Sequence, residues 1–127
     1  MRNDREYDIC KTISNYMKLR YPNVIFHFDY AGLNLSKAQA GKMKTIQKER
    51  GWPDLFIAYP NKIYHGCFIE IKKENTKLYK KDGYTPVSDH IAEQIITLFD
   101  LSVKGYYTGF AIGFNEVKII IDNYLKK

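Results

Sequence analysis

Apolar residues recur every three or four positions along residues 4–19, at Ile9, Cys10, Ile13, Tyr16 and Met17. That spacing predicts a helix, ended by Tyr21-Pro22. Alternation then takes over. Val24, Phe26, Phe28 and Tyr30 line one face of a strand over 24–30, and Gly32 and Asn34 mark a loop. A polar helix over 36–49 has Ser36 as its N-cap, although Gly41 works against it. Two strands, 54–59 and 64–73, follow around Pro60-Asn61-Lys62. A lysine-rich loop covers 74–87, and Ser88 caps a helix over 89–103 closed by Gly105. Two final strands, 106–112 and 116–121, flank a turn at Gly113-Phe114-Asn115. The run Val117, Ile119, Ile120, Ile121 reads as a strand apolar on both faces, central in the sheet or meeting a second chain. The order α-β-(α)-β-β-α-β-β predicts an α/β (α+β) domain, a mixed central sheet flanked by helices.

Three charges interrupt the most strand-like stretch. Phe68, Glu70 and Lys72 share one strand face, while Cys67, Ile69 and Ile71 make the opposite face wholly apolar. A hairpin centred on Lys62 sets Asp54 directly across from Glu70, with Cβ atoms about 4.5–5.5 Å apart. Two carboxylates that close repel, and a divalent cation between them is a sufficient reason for the placement. The plainer alternative is a surface Glu70–Lys72 ion pair and a turn aspartate after Pro53.

The chain's 127 residues suit one domain, 1–127, and 45% are apolar, enough for a core. No apolar run approaches the ~18–20 residues of a membrane span, and the start MRNDREYDIC is not a signal peptide. Cys10 and Cys67 lie in apolar contexts and read as buried thiols in a reducing, cytoplasmic compartment, with a disulfide as the alternative. The net charge of +6 concentrates in two places. Lys37, Lys42, Lys44, Lys48 and Arg50 precede the hairpin; Lys73, Lys77, Lys80 and Lys81 follow it, with Tyr79 and Tyr84 among them. They are either two solvated loops or two phosphate-contacting elements, one on each side of the paired acids.

Pro53-Asp54, fifteen residues and then Glu70-Ile71-Lys72 resembles the PD-(D/E)xK nuclease signature. Gly51-Trp52-Pro53-Asp54-Leu55, Ile69-Glu70-Ile71-Lys72, Gln94 on the next helix, Gly105 and an acid on the first helix, Glu6, together resemble the stand-alone type of virus-type replication-repair nuclease (VRR-Nuc) domain, viral or bacterial. The likeness spans roughly 4–121; segment 31–50 carries no matching motif. It implies a restriction-endonuclease-like core and Mg²⁺- or Mn²⁺-dependent hydrolysis of DNA phosphodiesters to 3′-hydroxyl and 5′-phosphate ends. It also implies a metal held by Glu6, Asp54, Glu70 and the Ile71 carbonyl, and catalysis by Asp54, Glu70, Lys72 and Gln94. Relatives of this type act as homodimers on branched DNA such as four-way (Holliday) junctions.

The residues themselves support part of that assignment. Carboxylates are hard ligands suited to these cations, and Lys72, about 6.6–7 Å along the strand from Glu70, can orient water or stabilise a pentavalent phosphate. Glu6 falls on the apolar stripe of its helix, but it also completes a capping box with Asn3. Gln94 sits on or beside the stripe Ile91, Ile95, Leu98, Leu101, so it is either a buried amide in need of partners or a boundary residue. His27, His65 and His90 share no ligand spacing and read as structural or surface residues, with His90 a candidate phosphate contact. Trp52 is expected beneath the metal loop, and Tyr79 and Tyr84 are candidates for stacking on bases. Two other functions fit the same chain: a non-catalytic DNA-binding or assembly module, and a sequence-specific restriction-type endonuclease.

Overall fold

The computed structural model describes residues 4–29, 36–48 and 50–126. Tyr30, Gly32, Asn34 and the proposed cap Asn3 lie outside them. Among the described residues four helices and four strands follow in the order α1 (Asp4–Arg20), β1 (Phe26–Phe28), α2 (Lys37–Ile46), β2 (Leu55–Ile57), β3 (Cys67–Lys72), α3 (Asp89–Val103), β4 (Tyr107–Ile112) and α4 (Phe114–Leu125). The strands form one sheet in sequence order. β1 and β3 run antiparallel to β2, whereas β3 and β4 are parallel, so the sheet is mixed. A parallel pair needs a crossover, and α3 is that crossover.

The β2–β3 register is Leu55↔Ile69, Phe56↔Phe68, Ile57↔Cys67. That is the hairpin register expected from the sequence, so Asp54 stands at the position opposite Glu70, one step past the last rung. Alternation divides the two faces as expected. Leu55, Ile57, Cys67, Ile69, Ile71 and Ala111 face α1 and α4 in one core with Ile13, Met17, Val117 and Ile121, all without measurable exposure. The other face carries Phe56, Phe68 and Tyr106, an aromatic cluster in which Phe56 stacks on Phe68 at 4.5 Å between centroids.

The last element differs from the sequence expectation. Residues 116–121 are not a strand but lie within α4, and no sheet edge is formed there. β-branched residues bias the run Val117–Ile121 toward extended structure, yet the residues it buries are Val117, Ile121 and Tyr124, spaced four and three apart. Burial against α1 and the sheet outweighs local propensity. Gly113, at φ +84, turns the chain out of β4 and caps the helix; Glu116 Oε1 accepts the Ile112 amide at 2.9 Å. A side-chain network pins α4 to α1. Asp122 Oδ1 accepts the hydroxyls of Tyr16 at 2.7 Å and Tyr21 at 2.6 Å, and Lys118 Nζ lies 3.1 Å from Oδ2.

α2 forms despite Gly41. Ser36 and Gln39 make a reciprocal capping box, with bonds of 3.1 and 2.9 Å. None of its residues is buried. Among the described residues no helix is long and apolar enough to cross a membrane. Cys10 and Cys67 are both buried, and no disulfide joins them, in keeping with their reading as buried thiols.

Candidate active site

Among the described residues five polar or charged side chains are buried: Asp54, Glu70, Lys72, Gln94 and Thr97. The first four are the catalytic set expected from the sequence. Burying polar groups opposes folding unless something compensates, so their concentration in one region marks a site. β2 brings Asp54 to its start, β3 carries Glu70 and Lys72 on the face turned from the core, and α3 supplies Gln94 from above that face.

β3 outruns β2, and carboxylates take over where the ladder stops. The Ile71 amide donates to Asp54 Oδ2 at 2.8 Å. Two residues on, the Lys73 amide donates to Glu6 Oε2 at 3.4 Å. The N–H and C=O of one strand residue point to the same edge, so the Ile71 carbonyl lies on this edge between those two bonds. Half-buried Glu6 therefore reaches from the first turn of α1 to the end of β3. The set proposed for a metal, Glu6, Asp54, Glu70 and the Ile71 carbonyl, thus gathers around the last residues of one strand. Among the described residues no three His, Cys, Asp or Glu side chains converge into a ready-made cage.

Gln94 is not a solvent-facing boundary residue. It is 4% exposed; its Nε2 lies 3.2 Å from His90 Nε2, and its buried Oε1 has no hydrogen-bond partner. An orphaned carbonyl oxygen in such a place fits a site completed by a further donor, such as a water. The sequence undervalued His90. One helical turn before Gln94, it is joined to the site, and its pKa is lowered first by burial and then by the charge of Lys72. The i, i+4 spacing to Gln94 was the available signal.

The loop into Asp54 owes its path to close packing on α3. Gly51 has φ +67, and a Cβ there would come within 2.9 Å of the Gln94 backbone nitrogen. Thr97 Oγ1 donates to the Arg50 carbonyl at 2.5 Å and so finds a partner despite its burial. Sequence reasoning did not identify Thr97, since a lone threonine on a helix carries no pattern. Trp52 is half-covered, edge-on to Phe68 at 5.3 Å, beside the loop rather than sealed beneath it. His65 is structural: its amide binds the Gly105 carbonyl at 2.9 Å, and a Cβ on Gly105 would overlap its ring.

The expected phosphate contacts divide by position. Lys37, Lys42, Lys44 and Lys48 are exposed on α2 and just after it. Arg50 is exposed and lies 3.8 Å from Glu93. Lys73 is half-buried at the end of β3, and Lys77, Lys80 and Lys81 are exposed on the loop that follows.

No protein-family model and no curated protein matches the chain by sequence. By structure it is similar to a solved "VRR_NUC domain protein", with a TM-score of 0.68 over 99% of this chain and 92% of that one, at 24% identity. The fold is therefore that of a VRR-Nuc domain, a mixed four-stranded sheet with four helices.

Proposed function

We propose that this protein is a nuclease that hydrolyses DNA phosphodiester bonds with a divalent cation. The observation that carries this reading is the burial of Asp54, Glu70, Lys72 and Gln94 together at the end of β3. A domain with only a binding role gains nothing from burying two carboxylates and an ammonium group at one strand end. The fold shared with a VRR_NUC domain protein supports the same class.

The donor set fits Mg²⁺ or Mn²⁺: hard carboxylate oxygens of Glu6, Asp54 and Glu70 and the carbonyl of Ile71. Such an ion, when bound, acidifies water and offsets charge on the scissile phosphate. The Ile71 amide holds the Asp54 carboxylate by Oδ2 and so fixes a candidate ligand at the end of the strand. Lys72 shares its strand face with Glu70 and places an ammonium group where negative charge grows on the phosphate. Gln94 Oε1 would accept a hydrogen bond from the attacking water and orient it, while His90 fixes the other end of the amide. The lysines of α2 and of 73–81 hold the flanking phosphates.

Branched DNA, four-way junctions among them, is the proposed substrate class, and a homodimer would present two such sites to two strands. A strand over 116–121 no longer supplies an interface for that dimer, because those residues are helical. The test is cleavage of labelled four-way junction and matching linear duplex with Mg²⁺, Mn²⁺ or EDTA, together with sedimentation. Metal-dependent cuts placed by the branch point support the reading. Cuts at one sequence on linear duplex would favour a restriction-type enzyme, and binding without cutting a non-catalytic module.

A further inference from the structure

The loop between β3 and α3 is a built element. Residues 79–86 form a short finger: Tyr79 bridges Pro86, the Lys80 amide donates to the Thr85 carbonyl at 2.7 Å, and the Val87 amide to Leu78 at 2.9 Å. Its turn is locked by Asp82. Asp82 Oδ1 accepts the Tyr84 and Thr85 amides at 2.9 and 2.8 Å, and the Thr85 hydroxyl donates to Oδ2. Gly83 supplies the φ of +82 that the turn requires, and its amide closes on the Lys80 carbonyl at 2.9 Å. All this holds the turn in one shape, yet its most conspicuous side chain stands largely in solvent: Tyr84 is 76% exposed at the apex. Lys77, Lys80 and Lys81 are exposed beside it.

The loop that carries the finger joins β3 to α3, the elements that supply Lys72 and Gln94. It leaves β3 directly after Lys72 and Lys73, where Thr76 binds the Lys73 carbonyl through its hydroxyl at 2.7 Å. It returns at Ser88, whose hydroxyl caps α3 by accepting the Ile91 amide at 3.2 Å, one turn before Gln94. An exposed aromatic ring on a held turn, with lysines close in the chain and on a loop that starts and ends at site-bearing elements, suits one partner best. Base faces stack on tyrosine while the lysines hold the adjoining phosphates, whereas an acidic peptide would have no use for the ring.

We infer that Tyr84 stacks on an unpaired base of DNA held at the site, so that the finger recognises a break in base stacking rather than a sequence. This rests on the nucleic-acid reading above and deepens it. A paired base is covered by its neighbours, and a bulged or branch-point base is not, so the ring favours distorted DNA.

The test is fluorescence anisotropy with a duplex carrying one bulged 2-aminopurine and with the same duplex fully paired, both in Ca²⁺. Wild type should prefer the bulged duplex by about 5- to 100-fold and quench the 2-aminopurine. Tyr84→Phe should keep the preference and the quench. Tyr84→Ala should lose both while binding paired duplex as before. Lys80→Ala/Lys81→Ala should weaken both duplexes alike. A Tyr84→Ala protein with the preference and quench intact, or a wild type without preference, overturns the inference and leaves the nuclease reading standing. A wild type that binds neither DNA overturns both.

Discussion

The Ile71 amide and Asp54 Oδ2 are joined by a buried hydrogen bond of 2.8 Å. This bond stands where the β2–β3 ladder would have made its next backbone rung. A side chain in that role fixes the carboxylate at the end of the ladder. Asp54 thus continues the sheet and begins the site.

Gln94 should act through orientation. Gln94→Ala is expected to lower turnover by about 10- to 100-fold, the usual cost of losing a group that positions metal-bound ligands. His90→Ala should give a smaller loss in the same direction, because it leaves the amide in place but free to rotate. Steady-state cleavage against metal concentration checks both. Unchanged turnover in Gln94→Ala would assign that residue to packing alone.

Gly51→Ala should destabilise the fold by about 2–4 kcal/mol, combining a left-handed φ with an overlap on the α3 backbone. Urea unfolding measures it. A loss within about 0.5 kcal/mol, the range of ordinary surface changes, would show that the loop does not rest on α3.

Much of this geometry was legible in the sequence. Strand alternation located the buried face of β3, and the turn at Lys62 set the register that aligns Asp54 with Glu70. The end of the chain was not legible, because four β-branched residues among the five from Val117 to Ile121 look the same in a strand and in a helix until a partner surface is known. Thr97 escaped for a related reason. Its partner is the Arg50 carbonyl, and which segment packs across α3 is a property of the fold.

Asp122 links stability to pH. Burial works to raise its pKa, but the hydrogen bonds from Tyr16, Tyr21 and Lys118 prevail and bring it down to about 2. A carboxyl lowered on folding stabilises above its unfolded pKa, about 3.9, and loses that contribution as pH falls through the folded value. Asp122→Asn should therefore cost stability at pH 7, on the order of 1 kcal/mol given its partial exposure to solvent screening. The gap to wild type should narrow from about pH 4 toward pH 2. Urea midpoints at pH 7 and pH 3 check this; an equal gap at both would remove the carboxylate from the account.

The cysteines should be inert in the folded protein. Cys67 has no exposure, and burial raises its thiol pKa to about 12; Cys10 is also buried. The thiolate is the reactive form, so Ellman's reagent should find almost no thiol in native protein at pH 8 and both in guanidinium. Rapid labelling of native protein would contradict the packing of α1 on the sheet.

The most direct test of the central claim is single-turnover cleavage of a labelled four-way junction in Mn²⁺ by wild type and Asp54→Asn. Asparagine can still accept the Ile71 amide through its oxygen, so the fold is kept while a charged ligand is lost. Wild type should cut only with metal present, and Asp54→Asn should be slower by at least about a hundredfold with its thermal midpoint nearly unchanged. Equal cleavage by the two proteins would mean that the buried carboxylates at the end of β3 are not the active site.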